Sequence, residues 1–432
     1  MGSRRVVRKI GDEFSETSRK AGALTLVATL LTVWLVVNSL INPSPPLVGG
    51  EVVYVVNPKT LDKCVETWLF GDTVICKTYE GYVPGSRTWK IKTVSIPVIG
   101  YEPSASSQKT VFDLHGKSSF TGSGVVVAVI DTGIDYTHPM LKDAVVEIWS
   151  VLYKTSTGGF LHWIVGVNGT LYDMALIDHY LKESNGEYAF ADEAGHGTHV
   201  SGLIAGRPYN GFIGYAPNAM LFVVKAFLKN GTASVDMVLN ALRIVYDNVE
   251  RLKIRVVNLS WGALLNSDGS DPISVAAAKI AEKDVLVFAA AGNEGNIPFR
   301  ILSPAVHRNV IALGAIESET GRIASFSSWG TTVDLRMKPD FVAAGVGIVS
   351  ARSSFSKLTP WRGDSYLASA SGTSISTAVA SGIGALYAEY WSAMGGRESL
   401  RESFLRFQEH MAERINQYYK DFISGLGILT AP

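Results

Sequence analysis

The spacing of hydrophobic residues changes twice along the chain and divides it into three parts. Residues 22–41 form an uninterrupted run of 20 residues without a charged side chain. Residues 51–107 contain short strand-like runs, with a short helix expected at 61–70. From Gly124 to the C-terminus, short runs rich in β-branched residues alternate with longer segments of helical periodicity. The first part predicts a membrane helix, the second a small β-rich or α+β region, and the third an α/β domain over 124–432.

The third part has the pattern of a parallel sheet with helices on both faces. Its strand candidates are residues 125–130, 221–226, 255–260, 285–290 and 310–316, and its helix candidates are residues 200–205, 235–249, 273–282 and 374–391. Strands that are apolar on both faces are typical of a mostly parallel sheet between two helical layers, a three-layer α/β sandwich. Ligands of such sheets bind at the carboxyl ends of the strands. We therefore expect functional residues directly after the strands.

The charges that flank the apolar run indicate its orientation. Six basic residues precede it, and the first basic residue after it is Lys59. Because basic residues stay on the cytoplasmic side, this bias predicts that residues 1–21 lie inside as a basic stub and that the rest lies outside, anchored in the cell membrane. The run also matches the roughly 30 Å of a bilayer core. A cleaved secretory signal is the alternative, although its apolar part usually has only about 7–15 residues.

Composition adds further constraints. The 39 Lys and Arg residues balance the 39 Asp and Glu residues, so no basic surface for nucleic acid is indicated. The Pro-rich residues 42–50 predict a stiff spacer.

In an exported region a disulfide between the two cysteines, Cys64 and Cys76, is expected, with two free thiols as the alternative. A bridge closing so short a loop is worth about 3 kcal/mol in the chain-entropy model. No Cys/His spacing typical of a metal site accompanies them.

Three polar residues stand where the sheet pattern predicts function. Asp131 ends the first strand, His196 opens a helical segment of small residues, and Ser374 stands at the start of the long helix. Each alone has an ordinary structural explanation: a turn residue, a packed histidine, and a helix cap. Together they supply an acid, an imidazole and a hydroxyl in the order Asp, His, Ser, which is one of the known orders of serine-hydrolase triads.

At these positions the chain resembles the subtilases, the subtilisin-like serine peptidases. The matching strings are Val-Ala-Val-Ile-Asp-Thr-Gly-Ile-Asp at 127–135, His-Gly-Thr-His-Val-Ser-Gly at 196–202, Ala-Ala-Gly-Asn-Glu-Gly at 290–295 and Gly-Thr-Ser at 372–374. The resemblance implies a subtilisin-like fold and a serine endopeptidase that cleaves proteins or peptides through an acyl-enzyme. It implies no cofactor for the chemistry, and structural calcium with ligands that the sequence does not identify.

The resemblance also implies roles for individual residues. His196 would take the proton of the Ser374 hydroxyl and return it to the leaving amine, while Asp131 would hold the imidazole in the required tautomer. The side-chain amide of Asn293 would stabilise the oxyanion together with the backbone N–H of Ser374 at the helix N-terminus. Losing one such donor typically costs about 10²–10³ in turnover.

Substrate contacts follow from the same resemblance. The strand that pairs with the substrate backbone would be Ser260, Trp261 and Gly262, and the opposite wall of the specificity pocket would be Ala290, Ala291 and Gly292. For Trp261, packing in the core is an equally good interpretation. Leu302 stands just before Ser303-Pro304, where it is expected to narrow the pocket. We therefore hypothesise a preference for modest apolar residues at P1.

The chain departs from the family pattern in two places. Residues 376–379 lack the usual proline and histidine after the nucleophile, which predicts changed local rigidity without loss of chemistry. Residues 140–191 form a long insertion between Asp131 and His196, expected as a surface loop bordering the cleft.

Residues 51–107 lie where the family carries an inhibitory propeptide. If they are one, self-cleavage between about 102 and 124 frees the peptidase, and otherwise it stays tethered.

Two other classes of protein compete with the peptidase. A catalytically silent subtilase fold could serve as an exported binding module, although the triad and Asn293 argue against it. A nucleotide-binding α/β protein is disfavoured because the glycines Gly122 and Gly124 precede their strand, whereas a phosphate-binding loop follows one and opens a helix. The physiological substrate and the oligomeric state are not predictable from the sequence.

Overall fold

The computed structural model describes residues 52–58, 61, 64–79, 87–91, 93–96, 114–155, 158–169, 171–415 and 420–432. The predicted basic stub, membrane helix and Pro-rich spacer all lie outside these residues. Within the described ranges, no helix combines the length and the apolar character needed to cross a bilayer.

The described elements divide between a small N-terminal region and a large α/β body. The strands of the N-terminal region are β1 (Val52–Val56), β2 (Glu66–Phe70), β3 (Thr73–Tyr79), β4 (Thr88–Trp89) and β5 (Val94–Ser95). The strands of the body are β6 (Val126–Asp131), β7 (Val145–Lys154), β8 (Phe160–Ile164), β9 (Met220–Lys225), β10 (Thr232–Ala233), β11 (Ile254–Leu259), β12 (Leu286–Ala290), β13 (Ile311–Ile316), β14 (Phe341–Ala344), β15 (Ile348–Ala351) and β16 (Leu367–Ala370). The helices are α1 (Leu171–Asn185), α2 (His196–Ala205), α3 (Val235–Leu252), α4 (Pro272–Ala281), α5 (Thr373–Ala393) and α6 (Leu400–Met411).

The body is built on an eight-stranded sheet in the order β14-β13-β12-β11-β6-β9-β7-β8. Neighbouring strands from β14 to β7 are parallel, and only β8 joins the sheet antiparallel to β7. The predicted α/β class with a mostly parallel central sheet is therefore confirmed. The five predicted strands coincide with β6, β9, β11, β12 and β13 to within two residues.

Alternation along each strand produces the three layers. In β6, Val127 and Val129 belong to the hydrophobic cluster that contains the buried faces of α2, α5 and α6. Ala128 and Ile130, which point to the opposite face, belong to the cluster that contains the buried faces of α3 and α4. Successive side chains of a strand point to opposite faces, so a continuous apolar run supplies both cores.

Two expectations about local structure are wrong. The helix expected at 61–70 is wrong, since Glu66–Phe70 is strand β2, whose Trp68 and Phe70 are buried while Thr67 and Leu69 are exposed. This alternation has the period of a strand rather than of a helix. The insertion 140–191 is not a surface loop either, because it contributes β7, β8 and α1 and extends the central sheet by an antiparallel edge strand.

The N-terminal region packs against helix α3 of the body. Its sheet has the order β2-β3-β1-β4, and a disulfide joins Cys64 to Cys76 of β3. Its Tyr54 and Trp68 belong to the same hydrophobic cluster as α3, and their polar ends donate hydrogen bonds to that helix, Tyr54 to Asp236 at 2.7 Å and Trp68 to Asn240 at 2.7 Å. The region therefore shares a core with the body.

Candidate active site

Asp131 and His196 form the centre of the site. Asp131 is the last residue of β6, and His196 is the first residue of α2; both are buried. The Nδ1 atom of His196 lies 2.8 Å from Oδ1 and 3.0 Å from Oδ2 of Asp131. A carboxylate only accepts hydrogen bonds, so we assign the proton to Nδ1, which leaves Nε2 with a free lone pair.

The Nε2 atom of His196 and the Oγ atom of Ser374 share a property with a few other buried side-chain atoms of the described residues. Each is buried, and neither has a hydrogen-bond partner among the described residues. Leaving a buried polar atom unpaired costs about 1–3 kcal/mol, so such atoms are rare in a folded protein. A base with a free lone pair and a hydroxyl without a partner are the two groups that nucleophilic catalysis requires.

A second set of contacts ties Ser374 to the strand end that carries Asp131. Ser374 is the second residue of α5, and its carbonyl oxygen accepts a hydrogen bond of 2.7 Å from the Ser260 hydroxyl. The next residue, Trp261, donates from Nε1 to the carbonyl of Ile130 at 2.9 Å. Residues 260–261 therefore bridge the start of α5 and the end of β6. Because the Trp261 side chain is fully buried, it belongs to the core.

The side chain of Asn293 is held in one orientation beside Ser374. Its Oδ1 atom accepts hydrogen bonds from the backbone N–H of Thr373 at 3.0 Å and from the Thr373 hydroxyl at 2.9 Å. The same hydroxyl accepts a hydrogen bond of 3.2 Å from Gly292 N–H. With its oxygen fixed in this way, Asn293 directs its amide nitrogen away from Thr373. Thr373 therefore orients the predicted oxyanion donor, a role that sequence reasoning missed.

A further residue missed from the sequence is Asp192. Its carboxylate is fully buried and accepts hydrogen bonds from the N–H groups of Gly195 at 2.7 Å and Thr198 at 2.8 Å, so it caps the N-terminus of α2. It also accepts one from the Thr132 hydroxyl at 2.7 Å. Burial and the nearby Asp131 carboxylate raise the pKa of Asp192. The signal was an acidic residue four positions before His196, which is typical of the start of a helix.

His199, on the same helix as His196, is a structural residue. It is fully buried, and its Nε2 lies 3.1 Å from the carbonyl oxygen of Ile348 and 3.2 Å from that of Ala368. Burial, together with the neighbouring His196, lowers the pKa of His199 to about 3. It therefore stays neutral at physiological pH and links α2 to the β15–β16 hairpin.

The two predicted walls of the specificity pocket meet at Leu302. A Cβ atom on Gly262 would lie 2.7 Å from Cβ of Leu302, and one on Gly292 would lie 2.8 Å from its Cγ. Ala290 and Ala291, which precede Gly292 in the chain, are fully buried. The Leu302 side chain thus lies in contact with both glycines, and larger residues at either glycine would collide with it.

The strand β5 lies along the same wall. Ser95 N–H donates to the carbonyl of Gly262 at 3.0 Å, and Gly262 N–H donates to the carbonyl of Ser95 at 2.9 Å. On its other side β5 pairs antiparallel with β10, with Ser95 opposite Thr232. Val94 is fully buried in the cluster that contains Trp261. A segment of the N-terminal region therefore lies between β10 and Gly262.

The start of α5 shows how the chain accommodates the absence of the family proline. The hydroxyls of Ser376 and Thr377 both donate to the carbonyl of Thr373, at 2.9 and 2.7 Å. These bonds supplement the helical ones in the turn that carries Ser374. Ala378 continues the helix where the family usually has proline.

No metal ligands can be assigned. Within the described ranges, no group of three or more His, Cys, Asp or Glu side chains is arranged to hold an ion. The residues present therefore do not identify a calcium site, and no step of the chemistry is assigned to a metal.

The fold and these side chains define an α/β protein with the functional groups of a serine hydrolase. A model of the subtilase family matches residues 122–411 of the chain. The chain belongs to this family, the subtilisin-like serine peptidases.

Bacterial peptidases are among its relatives. The serine protease AprX of Bacillus subtilis (strain 168) is 33% identical over 287 residues, which are 62% of this chain and 58% of that protein. The thermophilic serine proteinase of Bacillus sp. (strain AK1) is 32% identical over 283 residues, 65% of this chain and 56% of that protein. A subtilisin of Bacillus sp. (strain TA39) is 30% identical over 355 residues, 76% of this chain and 74% of that protein. The chain thus matches a little over half the length of the first two relatives.

Proposed function

We propose that this chain is a serine endopeptidase that cleaves peptide bonds of proteins or peptides with Ser374 as nucleophile, His196 as general base and acid, and Asp131 as the group that orients His196. The observation that carries the proposal is the pair of buried, unpartnered atoms, Nε2 of His196 and Oγ of Ser374. The bond from His196 Nδ1 to Asp131 supports it, because it leaves Nε2 able to accept a proton.

The proposed reaction has two halves. The Ser374 Oγ attacks the carbonyl carbon of the scissile bond while its proton passes to Nε2 of His196. The negative oxygen receives hydrogen bonds from the Asn293 amide and the Ser374 N–H. When the C–N bond breaks, His196 returns the proton to the leaving amine, and an acyl-enzyme remains. Water then attacks the ester with His196 as base, which releases the carboxylic acid and restores the Ser374 hydroxyl.

The proposed specificity is for modest apolar residues at P1. The position of Leu302 against Gly262 and Gly292 supports it, since a side chain already in contact with both walls leaves little room for a large residue. The burial of Val94 in the hydrophobic cluster that contains Trp261 supports a second apolar subsite where β5 now lies. Backbone hydrogen bonds along 260–262 would hold the substrate as an added strand.

We further propose that the N-terminal region acts as an inhibitory propeptide. The pairing of Ser95 with Gly262 supports it, because β5 occupies a strand position that an extended substrate would need. Processing is expected upstream of Leu114. The reason is that His115 is fully buried and contacts both the C-terminal segment, at Leu429, and β14, at Ala344.

Export and membrane anchoring remain part of the proposal. They rest on the uncharged run 22–41 and on the basic residues that precede it. The anchored form would keep the peptidase on the outer face of the cell membrane unless processing releases it.

Labelling with a fluorophosphonate tests the enzyme against the silent binding module. We expect covalent modification of Ser374 in the wild type, none in Ser374→Ala, and a loss of at least about a thousandfold in labelling rate for His196→Ala, since a serine hydroxyl is a poor nucleophile without its base. His410→Ala, an exposed histidine on α6, is the matched control and should label like the wild type. If neither the wild type nor Ser95→Pro, in which the strand β5 is weakened, shows labelling or hydrolysis of peptides although both are folded, the binding module is favoured.

A further inference from the structure

The insertion between Asp131 and His196 carries a buried carboxylate that the proposed chemistry does not use. Asp178 lies on α1, the helix of this insertion, and its side chain is fully buried. Its Oδ1 accepts a hydrogen bond from the N–H of Phe190 at 3.0 Å, and its Oδ2 accepts bonds from Ala191 N–H at 2.7 Å and the Tyr136 hydroxyl at 3.0 Å. Three donors thus converge on one carboxylate, which is costly to bury unless it is satisfied in this way.

The peptide groups bound by Asp178 are held from the other side as well. Lys225, the last residue of β9, is fully buried and donates from Nζ to the carbonyl of Ala191 at 2.6 Å. The carbonyl of Phe190 accepts a hydrogen bond of 3.2 Å from Ile134 N–H. Residues 190–191 are therefore fixed between the insertion helix, the end of β9 and the turn that follows Asp131.

The close approach of this segment to that turn explains a glycine. Gly133 has a φ of +108°, and a Cβ atom there would lie 2.4 Å from the carbonyl oxygen of Phe190. The segment thus contacts the backbone two residues after Asp131. The turn and residues 190–191 form one packed unit.

The segment continues directly into the start of the helix that carries His196. Asp192 follows Ala191, and its carboxylate bonds the Thr132 hydroxyl on one side and the N–H groups of Gly195 and Thr198 on the other. A displacement of residues 190–191 would therefore shift Asp192, and with it the first turn of α2. This turn sets the position of the His196 imidazole relative to both Asp131 and Ser374.

The buried charges of Asp178, Asp192 and Lys225 depend on one another. Burial raises the pKa of Asp178, while its N–H donors and the Lys225 ammonium oppose that rise. Burial lowers the pKa of Lys225, and the Asp192 and Asp178 carboxylates oppose that fall. Removing one carboxylate would leave the buried ammonium with less compensation and would leave backbone donors unpaired.

We infer that Asp178 is a positioning residue for catalysis: through residues 190–192 and together with Lys225, it holds His196 in the geometry needed to take the Ser374 proton. The inference rests on the proposed peptidase function. It assigns the insertion helix a role in the reaction rate and not in the contact with substrate.

Asp178→Asn tests the inference on the full-length chain, with a chromogenic peptide as substrate. Asparagine is similar in size but replaces one acceptor oxygen by a donor that opposes an N–H or O–H group. We expect kcat to fall by about tenfold to a hundredfold with KM nearly unchanged, because misplacement of a catalytic group by about 1 Å has an effect of this size. The rate of fluorophosphonate labelling should fall in parallel. Tyr136→Phe, which removes one donor and leaves the carboxylate, should lower kcat by a smaller factor.

The matched control is Glu183→Gln, which makes the same change of charge on an exposed side chain of the same helix. It should behave as the wild type. If Asp178→Asn fails to fold, Tyr136→Phe decides, and an unchanged kcat in that variant overturns the inference. A folded Asp178→Asn with wild-type kcat also overturns it. The absence of any peptidase activity in both the wild type and Ser95→Pro, in which the strand β5 is weakened, would instead contradict the proposed function.

Discussion

At the scale of single residues, the site depends on which atoms are held and which are left unpaired. Asp131 fixes Nδ1 of His196, Thr373 fixes Oδ1 of Asn293, and Ser260 fixes the carbonyl of Ser374. In each residue the bonded atom is the one that the proposed chemistry does not use. The positions of the reactive groups are thereby set by bonds to neighbouring atoms, which is the requirement for preorganised catalysis.

Leu302 provides a prediction at this scale. Leu302→Ala should widen the pocket between Gly262 and Gly292. The ratio of kcat/KM for P1 Phe over P1 Ala should therefore rise by about tenfold or more, since a single methylene group in an apolar pocket is worth about 1–3 kcal/mol. Competing peptide substrates that differ only at P1 measure this ratio. Because Leu302 is buried, the variant should also lose about 2–5 kcal/mol of stability, so assays belong well below its melting temperature.

Leu264→Ala is the control for this prediction, because Leu264 lies two residues beyond Gly262 with its side chain exposed. It should leave the P1 ratio unchanged. A folded Leu302→Ala with the wild-type P1 ratio would show that Leu302 does not limit the pocket.

At the scale of elements, the strand β5 determines whether the cleft is accessible. Its contacts with Gly262 and with β10 are made by backbone groups, so they depend on the extended conformation and not on the side chain of Ser95. A substrate would have to displace the strand to form the same hydrogen bonds. The length and register of β5, and not a single residue, therefore set the proposed inhibition.

Ser95→Pro should relieve this inhibition. Proline removes the N–H that bonds the carbonyl of Gly262 and disfavours the strand, so the initial rate of peptide hydrolysis should rise severalfold. The rates should be compared on intact chains whose mass has been checked. Ser95→Ala keeps the backbone groups and should match the wild type. Equal initial rates for the proline variant and the wild type would rule out β5 as an inhibitory strand.

At the scale of the whole molecule, the two ends of the peptidase body meet around His115. Nδ1 of His115 lies 2.7 Å from the carbonyl oxygen of Leu429, and Ala344 N–H donates to its Nε2 at 3.1 Å. The carbonyl can only accept, so Nδ1 carries the proton and the imidazole is neutral. Burial lowers the pKa of His115 to about 4. The C-terminal segment is fixed to the edge strand β14 at this point.

Acid should therefore destabilise the fold through His115. In the unfolded chain the imidazole takes up a proton near its ordinary pKa of 6.5, whereas in the fold it stays neutral down to about 4. Between these values the unfolded state binds more protons, so the free energy of unfolding falls as the pH falls. His115 should contribute roughly 2–3 kcal/mol to the decrease in the free energy of unfolding between pH 7 and 4.5. In His115→Gln, the difference between the free energies of unfolding at these two pH values should be smaller by about this amount.

Urea unfolding at pH 7 and at pH 4.5 measures the two free energies of unfolding. A Ser374→Ala background prevents self-digestion during the measurement. His179→Gln changes an exposed histidine on α1 and should keep the wild-type pH dependence. If His115→Gln retains the full wild-type loss on acidification, His115 is not the group responsible.

The local sequence was sufficient for much of the fold. Short continuous runs of apolar, β-branched residues predict β6, β9, β11, β12 and β13, because such runs are typical of strands that are buried on both faces of a sheet. Prediction from the local sequence failed at residues 61–70. Trp68 and Phe70 of this segment are buried against α3, although the segment itself shows no strong strand signal. The local sequence also failed to predict the strands of the insertion, because β7 pairs with β9, a contact between residues far apart in the chain, and β8 pairs with β7 at the sheet edge.

The sequence by itself determined the α/β class, the order Asp131, His196 and Ser374, and the subtilase resemblance, because these depend on residue types and spacing along one chain. Only the tertiary structure decided that Asp178 supports the His196 segment, that Leu302 contacts both pocket walls, that Trp261 belongs to the core, and that β5 lies beside Gly262. Each of these depends on contacts between distant segments, and such contacts arise only when hydrophobic burial brings the segments together. The spacing of residues along the sequence does not indicate which distant segments make contact.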